Sequence, residues 1–311
     1  MVEFNTDFFD EEWRGDYFVK KKIKKIWAAE IEVLAEVDRI CKKHDITYFA
    51  DSGTLLGAVR HKGFIPWDDD IDIVMKRKDY EKFLQVAPAE LPEEWYVVNA
   101  ETSSDWSEGF SRVMNGRRIS FEKEYLKRFH GCPYMVGIDI FPLDKLAPEE
   151  ERELILCILQ VIYAAIYFVK TGNRQEAEEK LVWLEETCKV QFDRAGNLSK
   201  ELCLYLDRIC KLYEAESIKE LVQAVWWGYC STPFFYKSQW YEESIQMPFE
   251  NLYIPVPKYY HEVLCVLYGN DYMTPKQGLS FHNEPFFIKQ DIVIKETVQE
   301  LGIDLEWLED E

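Results

Sequence analysis

Apolar residues follow two different spacings along the chain, and the change from one to the other predicts a mixed fold. Between residues 17 and 43 they recur every three to four positions, from Ile23 to Ile40, as on one face of an amphipathic helix. The residues that follow predict a short buried strand. The predicted elements up to residue 99 are a strand at 46–50, a helix at 54–60, a strand at 70–74, a helix at 78–87 and a strand at 95–99.

Three further strands are predicted before the middle of the chain. Residues 110–114 and 118–121 predict a hairpin around Asn115-Gly116, because Asn-Gly favours the tight turns that join antiparallel strands. Residues 137–141 predict another strand, and Asp139 is its one inward-facing carboxylate.

Composition divides the chain into three regions and predicts an α+β fold. Residues 1–148 carry a mixed sheet flanked by helices, residues 149–230 are helical, and residues 231–311 return to the sheet through proline- and aromatic-rich extended segments. Within the helical region, residues 154–169 form an apolar run that is too short to span a bilayer comfortably. This run is interpreted as a buried core helix, with docking on a membrane surface as the alternative.

Acidic residues are concentrated at the start of the predicted strand 70–74. Side chains alternate between the two faces of a strand, so Asp70 and Asp72 share a face, while Asp69 points with the isoleucines and is the poorest ligand candidate. Paired carboxylates repel each other unless a cation lies between them, and Mg²⁺ prefers such hard oxygen ligands together with substrate phosphates. A solvated acidic turn is the competing interpretation.

Gly53-Thr54 lies between a predicted strand and a short helix, where backbone N–H groups can hold phosphate. Three segments that include these features resemble the signatures of the LicD family, which is related to DNA polymerase β-like nucleotidyltransferases. The segments are Gly53 to Asp72, Asp139 to Asp144, and Tyr268 to Pro275. The first is long and highly specific, and together they frame residues 25 to 285. Within the second segment, Asp144 is interpreted as a turn or cap residue rather than a ligand.

The resemblance implies a nucleotidyltransferase-like core in which Asp70, Asp72 and Asp139 hold one or two Mg²⁺ ions, with Mn²⁺ as an alternative. It also implies that Gly53 and Thr54 bind a donor phosphate through backbone donors. The family includes bacterial phosphocholine transferases. We therefore expect transfer of phosphocholine from CDP-choline to a hydroxyl of a cell-surface glycan, such as lipopolysaccharide or capsule, or of a teichoic-acid precursor, with release of CMP.

Three alternatives remain open at this point. The transferred group could be phosphoethanolamine, glycerol phosphate or ribitol phosphate, each from its CDP donor. True nucleotidyl transfer would instead attack the nucleoside-side phosphorus and release pyrophosphate. A non-catalytic binding protein is the third alternative, and the complete acidic set argues against it.

Basic and aromatic residues near the aspartates are candidate substrate contacts. Arg60 and Lys62 precede the aspartates by one loop, and positive charge there would stabilise a departing phosphate. Trp67 could stack on a base or face a quaternary ammonium, with packing against the sheet as the alternative. In the family a basic residue near the predicted strands 110–121 faces the site, so Arg112 is the first candidate and Arg118 the second. His61 and His282 are further polar candidates.

The charge balance limits the choice of partners. With 57 Asp and Glu against 37 Lys and Arg, the net charge is −20, which argues against nucleic acid as a ligand. It argues against electrostatic binding to anionic lipid as well. The spacing of the eight cysteines does not match that of zinc ligands. The N-terminus lacks the pattern of a signal peptide. These features predict a cytoplasmic protein, with a peripheral position at the inner face of the membrane as an alternative.

Overall fold

The computed structural model describes residues 1–230, 234–276 and 285–303, and it confirms the predicted α+β class. The candidate His282 lies outside the described residues. The strands are β1 (Glu12–Arg14), β2 (Tyr17–Val19), β3 (Phe49–Ala50), β4 (Asp72–Lys76), β5 (Tyr96–Val98), β6 (Ser111–Met114), β7 (Gly137–Lys145), β8 (Glu220–Val222), β9 (Phe235–Lys237), β10 (Ser244–Phe249) and β11 (Leu252–Pro257). The helices are α1 (Lys21–His44), α2 (Ser52–Arg60), α3 (Arg77–Glu90), α4 (Lys123–Arg128), α5 (Arg152–Thr171), α6 (Arg174–Cys188), α7 (Leu198–Cys210), α8 (Ala224–Cys230), α9 (Tyr260–Tyr268) and α10 (Pro285–Leu301).

A mixed sheet with strand order β3-β4-β7-β6-β5 forms the core. Strands β4 and β7 are parallel, whereas β3, β6 and β5 run antiparallel to their neighbours. The far end of β7 continues into an antiparallel ladder with β8 and β9. The central strand β7 is buried along most of its length, because helices and loops cover both faces of the sheet. Strand β7 therefore reaches from the core sheet into the part of the molecule that is mainly helical.

Apolar side chains form two clusters. The larger cluster surrounds the sheet and the inner face of α1, where Ile26, Trp27, Ile31 and Val37 are fully buried. The smaller cluster lies between α5, α6, α7 and α8. One face of α5 is buried in it, which agrees with the interpretation of residues 154–169 as a core helix.

The opposite face of α5 carries apolar residues at the surface, including Leu154 and Tyr167. By length and composition alone, Glu149–Thr171 could cross a membrane, and 33% of its most apolar window is buried. Core helices of soluble proteins pass the same test, so this helix is weak support for a membrane span.

Several predicted elements were wrong. The helix predicted from residue 17 begins at Lys21, because Tyr17–Val19 pairs with Glu12–Arg14 in a hairpin. Residues 118–121 form no strand, and β6 pairs with β5 and β7 instead. In the helical region, Glu220–Val222 is a strand that pairs with the end of β7.

Candidate active site

Three neighbouring strands bring three charged residues of the site into line. Asp72 on β4 is the register partner of Asp139 on β7, and Asp139 is the register partner of Arg112 on β6. The Arg112 guanidinium donates two hydrogen bonds to the Asp139 carboxylate, one from Nε to Oδ1 and one of 2.8 Å from Nη2 to Oδ2. The structure therefore brings together Asp72, Asp139 and Arg112, whereas Arg118 lies at the surface and pairs with Glu122.

The other aspartates lie in the turn before β4. Strand β4 begins at Asp72, so the prediction of a strand from Asp70 was wrong, although the charge of Asp70 acts on Asp72. Carboxylate oxygens of Asp68, Asp69 and Asp70 all lie within 4.8 Å of one another. Asp69, the poorest candidate by alternation, thus joins its two neighbours because the turn directs all three carboxylates to one place.

The first turn of α2 packs directly against this cluster. A Cβ atom on Gly53 would lie 2.3 Å from Oδ2 of Asp68, so a larger residue there would displace the Asp68 carboxylate. The Oγ1 atom of Thr54 accepts a hydrogen bond of 2.8 Å from the backbone N–H of Asp72. Gly53 and Thr54 therefore fix the start of α2 beside the aspartates, with the N-terminal end of the helix facing them.

Carboxylates dominate the electrostatics of the site. Burial, followed by the charges of Asp70 and Asp139, raises the pKa of Asp72 well above its ordinary value. Beneath α2, the fully buried Asp51 accepts hydrogen bonds from Gln223 (2.6 Å) and Ser52 (2.9 Å), and burial raises its pKa. Sequence reasoning missed Asp51, although its position just before Gly53 was a usable signal.

Arg60 and Lys62, which were predicted to stabilise a departing phosphate, lie at and just after the end of α2. Arg60 donates from Nε to Nε2 of His61 (2.8 Å) and from Nη1 to the carbonyl of Tyr272 (2.8 Å). Lys62 is exposed, and its carbonyl accepts a hydrogen bond from the N–H of Glu250 (2.8 Å). The described contacts of Arg60 therefore join the end of α2 to the C-terminal signature.

Tyr268, which begins the C-terminal signature, lies close enough to the site for the aspartates to act on it. Burial raises the pKa of its hydroxyl, and the charges of Asp51, Asp68, Asp72 and Asp70 raise it further. This segment was recognised by resemblance, but its contact with the site could not be predicted from spacing.

A cavity of about 540 Å³ opens beside Trp67. Trp67 directly precedes the turn that carries Asp68, Asp69 and Asp70, called here the aspartate turn. The Trp67 ring forms a wall, with Tyr17 at 5.9 Å and His61 at 6.3 Å between ring centroids, both approaching edge-on. Burial and the charges of Arg60 and Arg14 lower the pKa of His61 to about 4, so this ring is uncharged at neutral pH. The Arg14 side chain is itself paired with the Glu250 carboxylate, at 2.5 Å and 3.0 Å. The cavity thus offers aromatic surfaces and little net charge.

This sheet, with aspartates on adjacent strands and a helix N-terminus beside them, agrees with the arrangement that the nucleotidyltransferase resemblance implies. Residues 45–145 match the family model described as LicD/FKTN/FKRP, nucleotidyltransferase domain. The match confirms the resemblance to the LicD family over these residues.

Curated relatives are similar to part of the chain. The lipopolysaccharide cholinephosphotransferase LicD of Haemophilus influenzae is 44% identical over 71 residues, which are 23% of this chain and 27% of that protein. Uncharacterized proteins of Rickettsia typhi and Rickettsia prowazekii are 36% and 39% identical over 93 residues, covering 30% and 35% of their lengths. The matches thus span about a third or less of these relatives, and 28% or less of this chain.

Proposed function

We propose that this protein is a phosphotransferase of the LicD type that transfers phosphocholine from CDP-choline to a hydroxyl of a cell-surface glycan or teichoic-acid precursor. The observation that carries the proposal is the alignment of Asp72, Asp139 and Arg112 on adjacent strands beside the Asp68–Asp70 turn. A relative that is 44% identical over 71 residues is named a lipopolysaccharide cholinephosphotransferase, which supports the choice of reaction.

The acidic residues fit a divalent cation. Carboxylate oxygens of Asp68, Asp69 and Asp70 lie within 4.8 Å of one another, and burial and neighbouring carboxylates raise the pKa of Asp72, so a divalent cation bound here would offset like charges. We assign Mg²⁺, or Mn²⁺ in its place, to Asp70, Asp72 and Asp139. When bound, the ion would polarise the transferred phosphoryl group and neutralise charge on the departing phosphate.

The residues of the chain then have separate roles. Asp139, oriented by the two hydrogen bonds from Arg112, accepts the proton of the acceptor hydroxyl. The hydroxyl oxygen forms a bond to the phosphorus on the choline side, and the bond from that phosphorus to the CMP oxygen breaks. Arg112 stabilises the developing negative charge, and the backbone N–H groups of Gly53 and Thr54 hold the phosphate that leaves with CMP.

The cavity beside Trp67 supports choline as the transferred alcohol. Quaternary ammonium groups bind against aromatic faces, and Tyr17, Trp67 and the uncharged His61 line the cavity. Phosphoethanolamine, glycerol phosphate and ribitol phosphate would use the same catalytic residues, and the cavity is the feature that favours choline over them.

The acceptor and the location of the protein are also part of the proposal. We assign a cytoplasmic protein that meets a lipid-linked glycan acceptor at the inner face of the membrane. The exposed apolar face of α5 is compatible with a peripheral contact there. No nucleic acid is expected, since the net charge is −20.

A product assay tests this function. Purified protein is incubated with Mg²⁺, CDP-choline and a pool of glycan or glycolipid acceptors, and mass spectrometry follows CMP and the acceptor mass. CMP together with a phosphocholine increment on the acceptor is the expected result. Release of CMP only from CDP-ethanolamine, CDP-glycerol or CDP-ribitol would change the donor, and release of pyrophosphate from a nucleoside triphosphate would replace the reaction. The Asp72→Asn variant, which leaves side-chain size nearly unchanged, is the inactive control.

A further inference from the structure

Glu30 is a buried acidic residue, and one oxygen of its carboxylate accepts no hydrogen bond from the described residues. It lies on α1, outside the residues that match the family model, and only 1% of its surface is exposed. Within the part of the chain that the structure describes, no group donates a hydrogen bond to its Oε2 atom. A buried carboxylate oxygen without a partner is costly, so native proteins rarely keep one unless it binds something.

The helix directs this side chain toward the aspartate turn. Trp27, one turn earlier on α1, donates a hydrogen bond of 2.9 Å from its indole Nε1 to the carbonyl of Asp68. Residues three apart share a face of a helix, so Glu30 lies on the same side of α1 as Trp27. Glu30 therefore lies on the face of α1 that packs against residues 68–70.

The electrostatic environment of Glu30 agrees with this placement. Burial raises the pKa of Glu30 well above its ordinary value, and the charges of Asp70, Asp69 and Asp68 raise it further. The Arg112 guanidinium acts in the opposite direction. That guanidinium is already engaged with the Asp139 carboxylate through two hydrogen bonds, so its charge is shared.

A second buried glutamate on the same helix shows the ordinary arrangement. Glu32 is 5% exposed, yet its Oε1 atom accepts a hydrogen bond of 2.7 Å from the N–H of Val2 and lies 2.8 Å from Nε2 of His130. Both glutamates are buried on α1, and they differ in their partners. The open Oε2 atom of Glu30 is therefore not a general feature of this helix.

We infer that Glu30 is a ligand of a divalent cation of the Mg²⁺ or Mn²⁺ type, which it shares with Asp68, Asp69 and Asp70. Hard carboxylate oxygens are the donors these ions prefer, and the three aspartates already bring one oxygen each within 4.8 Å of the others. The inference rests on the proposed function for the identity of the ion. It extends the site beyond the family domain, to a residue 15 positions before the matched segment begins.

Binding of Mn²⁺ to the full chain, without nucleotide or acceptor, tests the inference. Free Mn²⁺ is followed by electron paramagnetic resonance during titration of the wild type, Glu30→Gln and Glu32→Gln. We expect Glu30→Gln to weaken Mn²⁺ affinity by about 10-fold or more, the effect of removing a group that supports a metal. Glu32→Gln is the matched control, with the same substitution on the same helix, and it should keep wild-type affinity. Equal affinity of the wild type and Glu30→Gln, or no Mn²⁺ binding by the wild type, would overturn the inference.

Thermal unfolding provides a second readout that does not depend on one variant alone. Mn²⁺ should raise the unfolding midpoint of the wild type, because an ion that binds only the folded state stabilises it, and should raise that of Glu30→Gln much less. Should Glu30→Gln fail to fold, Glu30→Asp keeps the charge on a shorter side chain and should show a reduced but measurable rise. A rise equal to that of the wild type in either variant contradicts the inference.

These measurements separate the inference from the proposed function. The titrations contain no donor, so a product assay that finds a different alcohol or a nucleotidyl transfer leaves their outcome unchanged. Conversely, phosphocholine transfer combined with unaltered Mn²⁺ binding by Glu30→Gln would support the function and remove Glu30 from the metal site.

Discussion

The two ends of strand β7 carry the same chemical pair in two different surroundings. At one end, Asp139 is paired with Arg112, and their side chains are 10% and 26% exposed. At the other end, Asp144 is paired with Arg77, and their side chains are 0% and 1% exposed. Both arginines make two hydrogen bonds to the carboxylate. The pairs therefore differ in what surrounds them rather than in their own geometry.

The neighbours of each pair explain the difference. Arg77 also donates a hydrogen bond of 2.6 Å to Asp207 on α7, so the buried pair joins β7, the start of α3 and the helical region. Asp139 instead has Asp72 as its register partner, near the carboxylates of the turn before β4. One pair thus connects parts of the scaffold, and the other leaves carboxylate charge at an accessible place where a ligand can use it.

Replacement of Asp139 gives the largest expected effect on activity. In Asp139→Asn we expect phosphocholine transfer to fall about a thousandfold, equivalent to about 4 kcal/mol of transition-state stabilisation from the metal and the proton acceptor. The thermal midpoint should fall less than that of Asp144→Asn, because Arg112 is 26% exposed and can reach water, whereas Arg77 is 1% exposed. Turnover in the product assay and thermal unfolding are the two measurements. Wild-type turnover in the variant would remove Asp139 from the site.

Replacement of Asp144 should have the reverse effect. Asp144→Asn leaves the Arg77 guanidinium buried without its main partner, so we expect the free energy of unfolding to fall by about 3–5 kcal/mol. Transfer per folded molecule should stay within about twofold of the wild type, since Asp144 lies away from the aspartate turn. Urea denaturation and the product assay at low temperature are the measurements.

A double variant tests the reason for that loss. Arg77→Met combined with Asp144→Leu removes both charges, and it should recover much of the stability that Asp144→Asn loses. A double variant as unstable as the single one would mean that the pair serves more than the neutralisation of its own charges.

The arginine of the site should tolerate substitution less well than a surface arginine. Arg112→Lys keeps the charge but loses the planar fork that holds Asp139 through two hydrogen bonds, so we expect transfer to fall about 10- to 100-fold. Arg118→Lys is the matched control, because Arg118 is 69% exposed and pairs with Glu122 at the surface. Similar activities of the two variants would make Arg112 a structural residue only.

The contrast along β7 also separates what the sequence predicted from what it did not. The prediction of a strand at 137–141 with Asp139 as its inward carboxylate is confirmed, because alternation over a few residues is a local property. Asp144 was interpreted as a turn or cap residue, and this was wrong. It lies on β7, and its partner Arg77, which also donates a hydrogen bond to Asp207, is 67 residues away along the chain. No local pattern contains such a pairing.

Contacts with residues that are distant in the sequence explain the other wrong predictions. Asn115 was expected to form a hairpin turn, but its Oδ1 atom accepts a hydrogen bond of 2.9 Å from the N–H of Val136, and its own N–H donates to the Val136 carbonyl. These bonds fix β6 beside β7 instead of beside residues 118–121. Similarly, Glu30 appeared as one more polar position on an amphipathic helix, and only the packing of α1 against the aspartate turn distinguishes it.

The smallest expected effect is on the pH dependence of stability, through His61 in the cavity beside Trp67. His61 lies half-buried in the cavity, where burial and the charges of Arg60 and Arg14 lower its pKa to about 4. The unfolded chain binds a proton at about pH 6.5, and the folded protein resists it, so this residue reduces stability as the pH falls from about 6.5 to about 4. Above that window the ring is neutral in both the folded and the unfolded protein, and the penalty disappears.

The variant His61→Gln should flatten this part of the pH profile. Thermal midpoints between pH 4 and pH 7 are compared with those of the wild type and of His44→Gln, in which the histidine that pairs with Glu90 outside the cavity is replaced. We expect the wild type and His44→Gln to lose stability in acid more steeply than His61→Gln. The same slope in all three proteins would show that the cavity imposes no cost on a charged His61. The surroundings near the Asp139 end of β7 would then differ less from those of the Asp144 end than the exposures of the two pairs suggest.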